Sequence, residues 1–290
     1  MDLVVGATGF LGTEICRQLI AQGQRVRALV RATSDPAKKA ALQNLGVELI
    51  EGDLKDAASL AAACQGVTAV LSTATSIISQ QAGDSFNAVD LDGQINLIEA
   101  AKTAGVAQFV YVSFSGQIET DSPLRTAKRA VEQHLQQSGL SYTILRPTNF
   151  MEVWLSPVVG FDVANATATV YGSGHNKISW ISLVDVAQFA VASLTNPAAR
   201  NAVLELGGPE ALSPLEVIAQ FEAVTGKPFT VQHVPEEALQ AQHAAATDPM
   251  QRTFAALMLS TARGDVIDMT ATLQAFPLNL TSISEFIRRS

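Results

Sequence analysis

Short apolar runs alternate along the first half of the chain with stretches in which apolar residues recur at helical spacing. Residues 3–5 form the first apolar run, and Leu11, Ile15 and Leu19 then mark one face of a helix. The predicted strands are 3–5, 25–30, 47–50, 67–72, 108–113 and 141–145. The predicted helices are 10–21, 36–45, 56–64, 84–104 and 125–137. Because the strands are rich in Val, Ile and Leu and are separated by helices, the pattern predicts an α/β fold with a doubly wound parallel sheet.

This alternation weakens after residue 147. The segment 155–175 contains Gly and Pro and has little periodicity, whereas 178–181 and a helix at 184–194 are predicted to return to the sheet. Further along, helices dominate, at 214–224, 236–246 and 253–262. We therefore expect two domains. The first comprises 1–154 and about 176–204, and a smaller, mainly helical lobe comprises about 155–175 and 205–290.

A glycine motif, Gly6-Ala7-Thr8-Gly9-Phe10-Leu11-Gly12, lies between the first predicted strand and the first predicted helix. In such a motif the first glycine permits a tight turn, the second lets the backbone approach a pyrophosphate, and the third allows close packing of helix on strand. The helix N-terminus attracts the phosphate charge. The position of the motif in a βαβ unit therefore predicts a Rossmann-type dinucleotide-binding domain. The residues expected to contact the cofactor here are Gly6, Thr8, Gly9, Phe10, Leu11 and Gly12.

The residue after the second strand indicates which dinucleotide is bound. NAD-specific sites place an acid there to bind the ribose 2′-hydroxyl, but this chain has Arg31, and no acid follows before Asp35. A guanidinium suits a phosphate, so we expect Arg31, with Lys38 as a second candidate, to bind the 2′-phosphate of NADP(H). NAD(H) is the alternative cofactor. The alternative for Arg31 is a solvated surface arginine.

Four motifs together resemble a known family. They are the glycine motif, Gly52-Asp53-Leu54, Tyr111-Val112-Ser113, and the run from Leu145 to Glu152, and they look like the atypical short-chain dehydrogenase/reductases, in particular the NmrA-like branch. That branch includes quinone, triphenylmethane and isoflavone-type reductases and redox-sensing regulators. The resemblance covers nearly the whole chain. It implies that Asp53 and Leu54 flank the adenine, that Ser72, Thr73 and Ala74 pass near the ribose and pyrophosphate, and that Pro147, Thr148, Asn149 and Phe150 line the nicotinamide.

The chain departs from this superfamily at the catalytic pair. Typical members use Tyr-x-x-x-Lys, in which the lysine lowers the tyrosine pKa. Here Leu124 occupies the tyrosine position and Lys128 remains. The resemblance implies that Lys128 contacts the nicotinamide ribose and assists substrate protonation, and the alternative is a surface pair with Glu132. Ser113 is a second catalytic candidate because it ends a strand at the ligand-binding edge, although a local cap explains a strand-end serine equally well.

The composition of the chain argues against some classes of binding partner. Hydrophobic residues make up 48% and charged residues 16% of the 290 residues, which argues against disorder. The net charge of −8 argues against nucleic acid and against an anionic membrane surface. Cys16 and Cys64 are expected to be reduced and buried, and no metal-binding spacing is found among the histidines. With no long apolar run and a strand that starts at Asp2, we expect a cytoplasmic protein without a signal peptide or membrane span.

Two functions agree with these features. The first is a reductase that transfers hydride from NADPH to a small apolar acceptor such as a quinone or enone, in a pocket lined by Phe150, Met151 and Trp154. The second is a non-catalytic sensor, in which NADP(H) binding changes a surface that a protein partner recognises. The missing tyrosine is compatible with both. The sequence leaves open whether the protein is a monomer or a homodimer.

Overall fold

A seven-stranded sheet forms the centre of the fold in this computed structural model, which describes residues 1–77 and 81–289. The strand order is β3-β2-β1-β4-β5-β6-β9, and each pairing from β3 to β6 is parallel. The strands are β1 (Asp2–Val5), β2 (Val26–Val30), β3 (Glu48–Glu51), β4 (Ala69–Ser72), β5 (Gln108–Val112), β6 (Tyr142–Pro147) and β9 (Ala202–Leu206). The order reverses between β1 and β4, which makes their carboxyl ends the switch point where such sheets bind ligands.

Helices connect successive strands of this parallel sheet, as in a doubly wound fold, so the predicted fold class is confirmed. They are α1 (Phe10–Ala21), α2 (Pro36–Asn44), α3 (Ala57–Ala63), α4 (Gln94–Thr103), α5 (Pro123–Gln137) and α7 (Leu183–Ala192). One prediction needs correction: the long helix at 84–104 begins as a π-helix, Phe86–Gly93, and only then becomes α4. Ser85 caps the π-helix by accepting the Ala88 N–H, and no hydrophobic pattern distinguishes such a wide turn from an α-helix.

The chain divides into two compact units. Unit 1 consists of residues 1–113, 124–145 and 186–204, and unit 2 consists of residues 114–123, 146–185 and 205–290. The core of unit 1 is built from the strands and from the helix faces that cover them. Its largest buried side chains include Leu3, Leu60, Leu97, Phe109 and Tyr111. Both cysteines, Cys16 and Cys64, are free and buried in unit 1.

Unit 2 contains helices and a small sheet of its own. The sheet has the order β10-β8-β7, formed by β7 (Phe161–Asp162), β8 (Thr167–Tyr171) and β10 (Thr230–Val234). The helices are α6 (Met151–Trp154), α8 (Pro214–Thr225), α9 (Glu236–Ala245), α10 (Pro249–Arg263), α11 (Thr270–Ala275) and α12 (Ile283–Arg289). The core combines aliphatic and aromatic side chains, and the rings of Phe161, Phe221 and Phe229 contact one another.

The predicted strand at 178–181 is wrong. Ile178 forms isolated bridges with Leu212 and Asp265, and Ile181 forms one with Phe150, so this segment makes single contacts with three separate parts of unit 2. The seventh strand of the large sheet is instead β9, where no strand was predicted. Among the described residues, no helix is both long and apolar enough to cross a membrane.

Candidate functional site

The glycine motif forms a close-packed turn at the end of β1. Gly6 has a φ of +86°, and a Cβ added to it would lie 2.6 Å from Thr73 Oγ1 and 2.8 Å from the Ala74 nitrogen. A Cβ on Gly12 would overlap the carbonyl group of Gly6. The Gly9 N–H donates to the Gly6 carbonyl over 3.0 Å and closes the turn. Only glycine satisfies these positions, and together they leave a backbone cradle that a pyrophosphate can approach.

Helix α1 begins at this cradle and presents free N–H groups there. Gly9 is the N-cap residue, and within the described chain no side chain caps this helix. The first turn holds no acid that could neutralise the helix dipole, and the Phe10 side chain is 74% exposed. A helix N-terminus of this kind stabilises an anion. The Leu11 side chain points into the core, so Leu11 can offer a ligand its backbone but not its side chain.

Arg31 lies at the end of β2 beside a second cation that the sequence did not suggest. The Arg31 guanidinium donates to Asp84 Oδ2 over 2.9 Å, and the Lys55 ammonium donates to Asp84 Oδ1 over 2.6 Å. Burial alone would raise the pKa of Asp84, but the hydrogen bonds from Lys55 and Arg31 lower it below its ordinary value. Lys55 also lies 3.7 Å from the Asp53 carboxylate, so two cations and two carboxylates meet here, and Arg31 and Lys55 supply the donors that a phosphate requires. Lys55 shares the Asp84 carboxylate with Arg31 and is therefore the second cation at this point, rather than Lys38, which is exposed on α2.

A buried glutamine, Gln94, forms hydrogen bonds with the end of β4 and with the segment that follows it. Ser72 Oγ donates to Gln94 Oε1 over 2.8 Å, and Gln94 Nε2 donates to the Ala74 carbonyl over 3.0 Å. The Ser72 hydroxyl is therefore used inside the protein, whereas Thr73 and Ala74 are partly exposed. Gln94 was not predicted from the sequence, because nothing in its neighbourhood marks it as buried.

The loop after β3 brings Asp53 and Leu54 to the same edge of the sheet. The Asp53 N–H donates to Ser59 Oγ over 3.1 Å, and Asp53 Oδ1 accepts the Lys55 N–H over 2.9 Å. Leu54 is buried against Gly93, where a Cβ would lie 2.8 Å from the Leu54 Cβ. The loop is thus fixed on both sides, and the Asp53 side chain stays partly exposed beside Lys55.

Lys128 is buried and bonded to the backbone of β5. Its ammonium donates to the Val112 carbonyl over 3.1 Å and lies 5.1 Å from the centre of the Tyr111 ring. The surface pair with Glu132 is therefore wrong, since Glu132 Oε1 instead accepts from Arg129 over 2.5 Å. Burial lowers the pKa of Lys128, while the nearby carboxylates of Asp90 and Glu132 oppose that change. Such a lysine can give up a proton more readily than one in solvent.

Ser113 and the position of the missing tyrosine are both buried in unit 1. The Ser113 hydroxyl accepts a hydrogen bond from Arg129 over 3.3 Å. Leu124 packs into the core with 4% of its surface exposed. The remaining tyrosine of this unit that lies near Lys128 is Tyr111, but its hydroxyl is buried and its pKa is raised well above the ordinary value by burial. Tyr111 therefore does not replace the absent relay tyrosine.

In unit 2, the segment Pro147 to Phe150 is fixed by buried hydrogen bonds. Thr148 Oγ1 donates to the Ser179 carbonyl over 2.5 Å, and Asn149 Nδ2 donates to Thr261 Oγ1 over 3.0 Å. Phe150 stays partly exposed. The expectation that Met151 lines an open pocket is wrong, because Met151 is fully buried in the core of this unit.

Unit 2 also contains a buried carboxyl that sequence reasoning missed. Asp265 Oδ1 accepts a hydrogen bond from Ser115 Oγ over 2.9 Å, and Oδ2 has no partner among the residues described. Burial raises the pKa of Asp265 to about 6, the Ser115 bond lowers it, and the nearby Glu205 carboxylate raises it. Glu205 itself accepts hydrogen bonds from Arg146 over 3.0 Å and from the Gly116 N–H over 2.9 Å.

The doubly wound sheet, the glycine cradle and the uncapped helix define a dinucleotide-binding protein. More narrowly, the chain belongs to the NmrA-like family, which it matches over residues 3–287, as its motifs predict. It is 36% identical over 230 residues to an NAD(P)H azoreductase of Xenophilus azovorans, covering 79% of this chain and 75% of the azoreductase. It is 34% identical over 235 residues to the photosystem II assembly factor Ycf39 of Trieres chinensis, covering 80% and 72%.

A solved structure agrees with this assignment. The NADPH-dependent quinone oxidoreductase of Escherichia coli, complexed with NADPH, has a TM-score of 0.79 and 25% sequence identity, covering 100% of this chain and 99% of the oxidoreductase. The predicted cofactor, NADP(H), is thus the one held by a structural neighbour of the same fold. Both the azoreductase and the quinone oxidoreductase are NAD(P)H-dependent reductases, in agreement with the expectation of an enzyme.

Proposed function

We propose that this protein is an NADPH-dependent reductase that transfers hydride to a small, apolar, electron-poor acceptor such as a quinone or an enone. The observation that carries the proposal is the glycine cradle at the start of α1, together with Arg31 and Lys55 on Asp84. The cradle accounts for a pyrophosphate and the two cations account for a 2′-phosphate. The azoreductase and quinone oxidoreductase relatives support the acceptor class.

The cofactor would be held largely by backbone groups and by the pair of cations. The proposed contacts are Gly6, Thr8, Gly9, Phe10, Leu11, Gly12, Arg31, Asp53, Leu54, Ser72, Thr73, Ala74, Lys128, Pro147, Thr148, Asn149 and Phe150. The buried bonds of Ser72, Thr148 and Asn149 indicate that these three would act by shaping the backbone around the cofactor. The assignment of 1–154 with about 176–204 to the cofactor, and of the remaining lobe to the substrate, stays a prediction.

The proposed reaction requires the protein to position the cofactor and the acceptor and to supply one proton. The bound cofactor supplies a hydride to the acceptor. The chain would supply the proton that a neutral quinone or enone then needs, and Lys128 is the candidate donor because its ammonium is held at a fixed place by Val112. Ser113 is the second candidate that would contact the acceptor. Loss of the relay tyrosine is acceptable because these acceptors need little proton assistance while hydride is transferred.

The direct experiment measures NADPH oxidation against a panel of quinones, enones and cationic dyes, with NADPH and NADH binding measured in parallel. We expect turnover that is faster with NADPH than with NADH. Failure to bind either dinucleotide would contradict the proposal. The most rapidly reduced member of the panel would then define the acceptor class.

Cofactor preference has its own test in Arg31→Ala. We expect NADPH binding to weaken about 10- to 100-fold, with NADH binding unchanged, because a charge-assisted bond to the 2′-phosphate is lost. Arg17→Ala is the matched control, since Arg17 is an exposed arginine on α1 that pairs with Glu14. Equal effects of the two variants would exclude Arg31 from the 2′-phosphate site.

A second candidate function is a non-catalytic NADP(H)-binding regulator that acts through a protein partner. The similarity to Ycf39, whose name describes an assembly factor, favours it, and the leucine at position 124 is compatible with it. Tight NADP(H) binding with no turnover of any acceptor would support this function over the reductase.

A further inference from the structure

A cavity of about 360 Å³ lies in unit 1 at the amino ends of the strands. Strands β1, β4 and β5 begin at Asp2, Ala69 and Gln108, and these three residues line it. The glycine motif follows the opposite, carboxyl end of β1, so the cavity is separate from the dinucleotide site. Its volume falls within the range of about 300–1,000 Å³ that is usual for sites that bind small molecules.

The floor of the cavity is one row of side chains across the sheet. Asp2 pairs with Ala69, and Ala69 pairs with Gln108. The register between β5 and β6 places Ser141 beside Gln108. Side chains in one row of a parallel sheet point to the same face, and the strands of Asp2 and Gln108 lie two strand spacings, about 10 Å, apart. The short side chain of Ala69 therefore leaves a space between a carboxylate and an amide.

The polar groups of this row have unused hydrogen-bonding capacity. Asp2 is 7% exposed, and its carboxylate has no hydrogen bond or ion pair in the described chain. Gln108 Nε2 donates to Thr143 Oγ1 over 3.1 Å and to the Ser193 carbonyl over 2.7 Å, which leaves its Oε1 as an acceptor. The Ser141 hydroxyl is covered and has no partner among the described residues. Buried polar groups of native proteins are normally satisfied, so this row calls for a hydrogen-bond donor.

Two helices end beside the row. Helix α1 ends at Ala21 and α7 at Ala192, and Leu19 and Val191 from their last turns line the cavity. Both last turns consist of uncharged residues. The C-terminal end of a helix carries a partial negative charge that attracts a cation. The two helices thus add apolar walls and a negative potential to the acceptors of the floor.

The charges around the cavity favour a cation in its interior. Arg200 also lines the cavity, but its side chain is exposed, so solvent screens its charge more than that of Asp2. Burial raises the pKa of Asp2, and the positive charge of the Met1 amino group opposes this effect. That amino group does not form an ion pair with the carboxylate within the described chain.

We propose that this cavity binds a small molecule that carries a primary ammonium group on a short apolar stem. The ammonium donates to the Asp2 carboxylate and to Gln108 Oε1 above Ala69, and the stem packs against Leu19 and Val191. A primary ammonium has three N–H donors and no acceptor, which suits a floor whose free groups accept. The site does not depend on the proposed reductase function, because it lies at the other edge of the sheet.

The test uses butylammonium as the probe and butan-1-ol as its uncharged counterpart, at constant ionic strength, with binding to the full chain followed by amide NMR. We expect saturable shifts of the Asp2, Ala69 and Gln108 signals with butylammonium only. The Kd should be about 1–10 mM, as a ligand of this size allows. Absence of saturable shifts with butylammonium, or equal shifts with butan-1-ol, would overturn the proposal.

Asp2→Asn keeps the size of the side chain and removes its charge. We expect it to weaken butylammonium binding about 10- to 100-fold, because a hydrogen bond to a charged group is lost. Asp92→Asn is the control, since it removes a charge from an exposed position of the π-helix, and it should bind as the parent does. Equal binding by Asp2→Asn and the parent would reject the site.

Ala69→Val is the second variant, which decides the question if Asp2→Asn does not fold. It adds two methyl groups to the floor of the cavity and leaves every charge in place. We expect it to abolish saturable binding of butylammonium, and the same amide spectra show whether it is folded. Unchanged binding by folded Ala69→Val would place the ammonium outside this cavity and contradict the proposal.

Discussion

The two units each bury one aspartate that has an oxygen without a partner in the described chain, and the surroundings of the two differ. In unit 1, Asp90 accepts two hydrogen bonds, both from Ser76. In unit 2, Asp265 is bound once by Ser115, and its charged neighbour is the Glu205 carboxylate. Burial penalises the charged form of both acids. Asp90 has two donors to its carboxylate, whereas Asp265 has one donor and a like charge nearby, and the pKa of Asp265 is raised.

The largest expected effect is that of Asp90→Ala. The change leaves the buried N–H and hydroxyl of Ser76 without their acceptor and should lower the free energy of unfolding by about 3 kcal/mol at neutral pH. Urea unfolding measures this difference. Asp92→Ala is the control and should stay within about 0.5 kcal/mol of the parent, as exposed positions do. A loss as small as that of the control would show that the two hydrogen bonds between Asp90 and Ser76 do not stabilise the fold.

Asp265→Asn should instead raise the free energy of unfolding, and the size of this gain should depend on pH. The pKa of Asp265 is raised to about 6, so the stability tied to its neutral form is present below the ordinary pKa of 3.8 and is lost as the pH rises to about 6. Asparagine is neutral throughout and still accepts the Ser115 bond. At about pH 8 we expect the variant to be more stable than the parent by about 1–3 kcal/mol, and at about pH 4 we expect no gain.

The control for this experiment is Asp268→Asn in the same unit. Asp268 is exposed, and its pKa is lowered by hydrogen bonds from Thr270. Its stabilising effect is therefore lost as the pH falls, so this variant should show no gain at alkaline pH. A gain of Asp265→Asn that is the same at both pH values would contradict the raised pKa of Asp265.

A smaller effect is expected for Glu205→Gln, which removes the acid next to Asp265. The pKa of Asp265 should fall from about 6 towards its ordinary value, because one of the two causes that raise it is gone. Stability should change by less than about 1 kcal/mol, since the lost ion pair with Arg146 is partly exposed. An NMR titration of the Asp265 carboxyl carbon tests this. An unchanged midpoint would assign the whole shift to burial.

The smallest effect is predicted for Tyr111→Phe. The Tyr111 hydroxyl is buried and has no partner among the described residues. Removing it therefore removes the desolvation cost of a buried polar group that makes no hydrogen bond. We expect the free energy of unfolding to stay the same or to rise by up to about 1 kcal/mol, measured by urea unfolding. A clear decrease would show that the hydroxyl makes a stabilising hydrogen bond, for example to a bound water.

Periodicity predicted the elements before residue 147 better than it predicted the elements that follow. Helix α1 begins at Phe10 and ends at Ala21 as expected, because its apolar face and its glycine signals agree. Strand β9 was missed, since Ala202–Leu206 is short and mostly half-buried, which produces only a weak pattern. At 178–181, by contrast, the sequence predicted a strand that the structure does not contain. It is apolar because it is buried among three separate segments, and burial of that kind looks like a strand in a sequence.

The parts of the site that depend on distant partners could not be predicted. The glycine motif and Arg31 are local signals, and the structure gives both a geometry suited to a dinucleotide. Lys55 follows the Gly52-Asp53-Leu54 motif, but its role in the site depends on its bond to Asp84, which lies 29 residues away in sequence. The bond of Lys128 to the Val112 carbonyl likewise joins a helix to a strand, and no spacing rule predicts it.

The burial of both sulfurs has a chemical consequence for the proposed substrates. Quinones and enones are electrophiles that add to thiolates, and the thiolate rather than the thiol is the nucleophile. Burial raises the pKa of Cys16 to about 12 and that of Cys64 to about 11, and both side chains are fully covered. These are the only two cysteines of the chain. The protein can therefore meet such compounds repeatedly without being alkylated at sulfur, and thiol-blocking reagents should leave its activity unchanged.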